Sequence, residues 1–412
     1  MDALVNLDPK VFAKKTLRYF FYFTAILVFF CFLYSYTIEY LGPQRENVLH
    51  TDSDFTAYLT GAEIIKAGKV RELYSLETQN EFQEKLIGNE MNGVLSYRNP
   101  PLVALLYLPY TYIEPVTAFK INFLVQLLLI VLLAGFISRT LKTGINTFLI
   151  ALVFLPTALQ LYLGQIAPVI GIILTAIFLS LKKDKFVYAG LLSGLLLLKP
   201  QYLIAIPYIL VIAQNRPRFL KGLIPSLLGI TVLNILLYGY KFLVDYPIFL
   251  TQSESRTTGT DLLSNYNLLG VREFLIQTMN ISISIRAVLV ITAVIYAFSL
   301  YYLYKNYRKT TLIISFSSII IWLIPLSVHT MITDLIFLLI PLMSLIGIRH
   351  TNNKKYDIYF KLIGWLIFIT PLICWTYLEG PASVVLLISG FLLMEVSKMV
   401  GAPGLEPGTN RV

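Results

Sequence analysis

Two carboxylates, Asp52 and Asp54, stand one residue apart just ahead of a helix-forming run that begins at Phe55. A carboxylate so placed can take the proton of an attacking hydroxyl, which contributes about 10²–10⁴-fold to a rate. It can equally cap the helix, and the residues alone leave both readings open. Lys199 precedes Pro200 inside a long apolar stretch. Its ammonium can stabilise charge developing on an anionic leaving group, or it can simply snorkel toward water. His329 joins two apolar runs, where it can bond a ligand or pack as a junction residue, and Asp334 lies about one turn further on. A carboxylate there requires a partner, and Lys199, Arg98 and His329 are the candidates. Gln165 and Gln201 border apolar runs, either as ligand-holding amides or as helix caps.

The elements that must position these residues lie in a membrane. Of 412 residues, 57% are hydrophobic and 14% are charged, against about 25% charged in an ordinary soluble domain. That balance excludes a soluble enzyme, a disordered scaffold and a secreted disulfide module. The net charge of +10 suits cytoplasmic loops rich in Lys and Arg. Nucleic-acid binding fits less well, because no basic block is interleaved with aromatics outside the apolar runs. Cys31 and Cys374 both sit within apolar runs and give no disulfide framework or metal spacing.

A membrane span needs about 20 apolar residues. Such runs cover Tyr19–Leu41, Ala118–Ile137, Thr147–Leu163, Ile166–Leu181, Gly222–Tyr240, Ile285–Tyr304, Thr311–Val328, Met331–Ile348, Lys361–Leu378 and Ala382–Val396. The stretch Val187–Ala213 is broken by Lys199-Pro200 and reads as two short helices, since proline cannot continue a helix interior. The three-proline run Pro100–Ile113 is too short to cross. With Lys10, Lys14, Lys15 and Arg18 holding the amino terminus in the cytoplasm, excluding that run places every later basic cluster inside. The expectation is an all-α integral membrane protein of about twelve spans with both termini cytoplasmic. Residues 1–400 form a single polytopic domain with outer loops 42–99 and 241–284, and 401–412 is a disordered Gly/Pro-rich tail. Tyr19–Leu41 is expected to remain as an anchor and not to be cleaved as a leader. Within the first outer loop, Asp54–Ala67 and Leu76–Ile87 read as amphipathic helices lying flat in the headgroup region. This topology gathers Asp52, Asp54, Tyr58, Arg98, Asn99, Gln165, Lys199, Gln201, His329 and Asp334 at one outer face, where ionisable groups near hydrocarbon are usually functional.

Several of these residues sit in a recognisable order. Asp54-Phe55-x-x-Tyr58 is followed by Ala62, Gly68 and Leu73-Tyr74, and later by Tyr97-Arg98-Asn99-Pro100-Pro101-Leu102. Gly164-Gln165, Ala189-Gly190, Gly194, Lys199-Pro200-Gln201 and Ser327-x-His329 with Asp334 and Pro341 come next. From about residue 50 to 345 the chain resembles the polyprenol-phosphate-sugar-dependent enzymes of glycosyltransferase family 87. It departs at Arg98-Asn99, where that family usually has an aromatic before the prolines.

The resemblance implies a C-type glycosyltransferase fold in the plasma (bacterial inner) membrane, with an extracytoplasmic active site. The implied reaction is inverting transfer of a hexose, with mannose foremost, from a polyprenyl-phosphate carrier to a lipid or glycan acceptor. Asp54 then becomes the expected base, and Lys199, His329 and Arg98 the expected holders of the donor phosphate. Asp52, Tyr58, Gln165, Gln201 and Asp334 are expected around the substrates, and Tyr58, Tyr97 and Tyr266 could stack on a sugar. The loop Ser253–Arg272, with Asn265, Asn267 and Arg272, could cover the acceptor. Asp52-Ser53-Asp54 has a spacing that binds a divalent metal in some nucleotide-sugar enzymes, but a lipid monophosphate has no diphosphate to bridge. No metal or cofactor is expected. The competing readings are a glycan flippase, a non-catalytic assembly subunit, and a polymerase or ligase using lipid diphosphate. Transporters usually show two related halves and bind near the midplane, and no such halves are evident here.

Overall fold

The computed structural model describes residues 53–88, 94–255, 268–281, 284–327, 329–347, 354–375 and 378–400. The expected first span Tyr19–Leu41 with its basic flank, Asp52, the loop residues Asn265, Tyr266 and Asn267, and the tail 401–412 lie outside the described residues.

Helix α1, Asp54–Lys66, opens the described chain, and α2, Leu76–Ile87, follows it. Helix α1 presents more than one apolar side to the rest of the fold: every residue from Phe55 to Ala62 is buried. Its two polar residues in that stretch tolerate this, with Thr60 Oγ1 donating to the Thr56 carbonyl at 2.8 Å. Helix α2 turns polar groups inward. Gln79 and Gln83 are buried and accept from the backbone N–H groups of Tyr97, at 2.7 Å, and Leu95, at 3.0 Å. The two amides thus satisfy the extended segment 94–97, as buried backbone groups require. Helix α3, Pro101–Tyr107, and a 3₁₀ segment, Leu108–Tyr112, then occupy the proline-rich run.

Helix α4, Pro115–Leu141, starts on Glu114, whose carboxylate accepts from Val116 and Thr117 N–H at 3.0 and 2.8 Å. The expected single span Thr147–Leu163 is instead two helices, α5, Ile145–Val153, and α6, Leu155–Leu163, bent by 67°. Pro156 accounts for the break, because it has no N–H to give the preceding turn. Helix α7, Ala167–Lys182, leads to α8, Phe186–Gly194, and α9, Ala205–Ile212. Two 3₁₀ turns between α8 and α9 meet at Lys199, the interruption expected from Pro200.

Helix α10, Arg216–Tyr238, runs alongside α8 in the same direction, since Gly190 lies against Phe219 and Leu223 while Gly194 lies against Ser226 and Leu227. A Cβ at Gly190 would overlap the Phe219 carbonyl, and one at Gly222 would overlap the Val187 carbonyl. Small residues four apart on both helices let the backbones touch, a recurrent device for helix association in membranes. This contact fixes the helix that leads toward Lys199.

The remaining elements are α11, Phe242–Ser255, α12, Ile285–Asn306, α13, Leu312–Leu326, α14, Leu339–Gly347, α15, Lys354–Trp375, and α16, Glu379–Val400. Helix α13 is buried at every position from Ile314 to Leu326, Ser315, Ser317 and Ser318 included. A two-residue antiparallel ladder pairs β1, Leu268–Leu269, with β2, Thr330–Met331. The expected span Met331–Ile348 therefore begins as β2 and a 3₁₀ segment, Ile332–Leu338, before α14. Among the described residues, α4, α10, α12 and α16 are long and apolar enough to cross a bilayer, and the bent pair α5–α6 makes a fifth span if counted as one. The other expected spans correspond to shorter apolar helices, including α7, α13 and the apolar part of α15.

Candidate active site

The helix breaks converge. The start of α1, the turn between α6 and α7, the Lys199 junction and the loop before β2 all line one cavity of about 390 Å³. Asp54, Tyr58, Arg98, Gln165, Lys199, Gln201 and His329 stand in its wall. Asp334 stands behind Lys199 with no exposed surface.

A continuous polar line runs from the cavity wall into the interior. Ser53 occupies the N-cap position of α1, so Asp54 sits in the first turn, where the helix dipole favours a carboxylate. Asp54 turns to Gln165, whose Nε2 donates to Asp54 Oδ2 at 2.7 Å. Lys199 Nζ donates to Gln165 Oε1 at 3.0 Å and pairs directly with Asp334 Oδ1. Asp334 Oδ2 accepts from Met331 N–H at 3.1 Å. Of the partners open to Asp334 in sequence, the fold selects Lys199. A buried pair of this kind persists only with further hydrogen bonds on its remaining polar groups, and Gln165 and Met331 supply them. Burial pushes the Asp54 carboxyl up to about 6, against the lowering effects of Gln165, Lys199 and His329.

Gln165 is held in turn. Gly164, at φ 72°, ends α6 in the left-handed region, and a Cβ there would lie 2.5 Å from Asn122 Nδ2. Its carbonyl accepts from Gln126 at 3.1 Å, and Gln160 donates to Gln126 Oε1 at 2.9 Å and to the Gln165 carbonyl. Gln126 and Gln160 are absent from the sequence-based site, although an amide inside an apolar run is itself a signal.

The cavity wall also carries Arg98 and His329. Arg98 Nη1 lies 3.4 Å from His329 Nδ1, and Arg98 Nε donates to Ser96 Oγ at 2.8 Å. The backbone around Arg98 is pinned by tyrosines: Tyr246 OH donates to the Arg98 carbonyl at 2.9 Å, Tyr74 OH to the Asn99 carbonyl at 3.1 Å and Tyr97 OH to the Pro100 carbonyl at 2.7 Å. Gln201 is committed to structure at one end, its Nε2 donating to the His329 carbonyl at 2.9 Å. Tyr58 stacks on Tyr107 at 4.6 Å between ring centroids. Tyr246 and Met331 also line the cavity and are not found by sequence reasoning. Ala57, Leu95, Ile204, Leu250 and Leu289 complete an apolar side. Among the described residues no group of three His, Cys, Asp or Glu side chains converges as a metal site.

Several helices long and apolar enough to cross a bilayer, with helix breaks gathered at one charged cavity, fit a multi-pass membrane protein with a polar site. The sequence model of glycosyltransferase family 87 matches residues 97–325. That is more than half of the chain, and the protein belongs to this family; it is a membrane glycosyltransferase. No curated protein and no solved structure matches the chain. The matched region contains Arg98, Gln165, Lys199 and Gln201. Asp54, His329 and Asp334 lie outside it; the fold brings Asp54 and His329 to the same cavity and Asp334 to Lys199 behind its wall.

Proposed function

We propose that the protein is an inverting glycosyltransferase that moves a hexose from a polyprenyl-phosphate carrier to a hydroxyl of a lipid or glycan acceptor. The acceptor oxygen attacks the anomeric carbon from the face opposite the phosphate. The bond from that carbon to the phosphate oxygen breaks, and its electron pair leaves on the polyprenyl phosphate. The hydroxyl proton passes to Asp54. Inversion follows from the single displacement.

The observation that carries this reading is the Asp54–Gln165–Lys199–Asp334 line beside a cavity that Arg98 and His329 also line. A base needs a pKa near the working pH, and the Asp54 carboxyl at about 6 meets that need. Arg98 and His329 are the proposed phosphate holders, because charge developing on the leaving group is best met by preorganised donors. Lys199 is proposed to contribute chiefly by fixing Gln165, since its ammonium is already paired with Asp334. This differs from direct phosphate binding, the role that the family resemblance assigns to it. The apolar side of the cavity suits the first isoprene units. Mannose is proposed on the resemblance alone, and the reaction is written without metal or cofactor because protein cations balance a monophosphate. The cavity is proposed to face the extracytoplasmic side of the plasma membrane.

The test presents the reconstituted protein with polyprenyl-phosphate-mannose, -glucose and -arabinose and with nucleotide sugars, using total membrane lipid as acceptor. Transfer from a polyprenyl-phosphate donor with inverted anomeric configuration in the product is the expected result. Transfer from nucleotide sugars alone, or with retained configuration, would sink the proposal.

A further inference from the structure

A second cavity, of about 370 Å³, opens at the far end of α8 from Lys199, between α7, α8 and α10. Lys183 and Lys185 stand at its mouth, and Leu179, Leu191, Leu192 and Leu195 wall its length. The turn Lys182-Lys183-Asp184-Lys185 is exposed and carries three cations against one anion. Lys185 Nζ lies 5.8 Å from the ring centroid of Tyr188, which is itself 62% exposed and borders the cavity. The hydroxyl-bearing residues Ser180 and Ser226 also line it, and Ser226 Oγ donates to the Leu191 carbonyl at 2.8 Å.

We infer that this groove binds one anionic diacyl phospholipid, with its phosphate at Lys183 and Lys185 and an acyl chain along the leucines. Three observations favour a lipid over a soluble anion. The mouth is cationic while the walls are apolar. The groove lies on apolar helices, of which α10 is long and apolar enough to cross a bilayer. From Lys185 to Leu195, α8 and the turn beyond it rise about 15 Å at 1.5 Å per residue, the depth of one leaflet of a hydrocarbon core about 30 Å thick. Basic pockets between membrane helices are a known setting for anionic headgroups. The site is separate from the glycosyltransferase cavity, so it stands whether or not the proposed reaction is right.

The experiment uses the full chain in phosphatidylcholine nanodiscs carrying a trace of photoactivatable phosphatidylglycerol or, separately, photoactivatable phosphatidylcholine. Crosslinked peptides are then identified by mass spectrometry. Phosphatidylglycerol is expected to label peptides containing residues 179–195 at least tenfold more than phosphatidylcholine does. At about 1 kcal/mol per lysine near a membrane surface, K183Q/K185Q should lower phosphatidylglycerol affinity roughly 30-fold. Leu192→Trp should block the groove with both lysines intact. Variants are compared only where their thermal melting matches that of the unsubstituted protein. Equal labelling by the two lipids, or undiminished phosphatidylglycerol labelling in either variant, would overturn the inference.

Discussion

Asp54 is the residue on which the proposed chemistry turns. With its carboxyl at about 6, kcat/KM should fall on the acid side through about pH 6. Gln165 lowers that value by donating to Asp54, so Gln165→Leu should move the acid limb to higher pH; a limb that stays in place or moves down would separate the limb from Asp54. The linkage has a definite sign. A carboxyl raised above its ordinary 3.8 holds a proton in the folded state that the unfolded chain has already released. Its stabilising contribution is present below pH 3.8 and is lost as the pH rises through about 6. Urea unfolding of Asp54→Asn should therefore show less loss of stability than the unsubstituted protein between pH 4 and 7. Lys199 and Asp334 make a second prediction. Lys199→Met leaves a buried carboxylate without its partner and should cost about 3–5 kcal/mol, whereas K199M/D334L should recover much of that stability. It should not recover transfer, because Gln165 would have lost its Lys199 donor. Recovery of full activity in the double variant would show that the pair has no positioning role.

At the scale of elements, the α8–α10 contact sets where Lys199 stands. Gly190→Val should destabilise the protein by about 1–3 kcal/mol, the usual range for overpacking, and lower transfer together with folded yield. Gly229 on α10 has open space around it, so Gly229→Ala should leave melting and transfer unharmed; equal damage from both would remove the packing argument. The sequence made the breaks legible where proline caused them, as at Lys199-Pro200 and at the three-proline run before α4. It misled at Thr147–Leu163, where the apolar count ran through Pro156 and concealed a 67° bend. At α1 it showed one apolar side and not the burial of the rest of the stretch from Phe55 to Ala62, because periodicity records only which residues are apolar. The stretch 94–102 and the polar residues of α1 and α2 bury surface that a lone helix would leave exposed. Of the site, Asp54, Arg98, Gln165, Lys199, Gln201, His329 and Asp334 were legible as costly polar groups in apolar surroundings. Their pairing was not, since Asp334 could have met Lys199, Arg98 or His329 and only the folded geometry brings it to Lys199.

At the scale of the molecule, the proposed topology puts the lysines of the α7–α8 turn in the cytoplasm and the cavity mouth at α11 outside. Thr251 is exposed at that mouth and Lys183 is exposed at the opposite end of the fold. Thr251→Cys should react with an impermeant maleimide in intact cells, and Lys183→Cys only after permeabilisation; the reverse pattern would invert the orientation. The family match ends at residue 325 and begins at 97, so the catalytic reading depends on residues that only the fold joins to it. The most direct test of that reading follows radiolabel from polyprenyl-phosphate-mannose into membrane lipid, comparing the reconstituted protein with its Asp54→Asn variant. The account predicts label in a new product and a loss of roughly 10²–10⁴-fold in rate for the variant, with the variant still folded by thermal melting. A folded Asp54→Asn that transfers label as fast as the unsubstituted protein would contradict it.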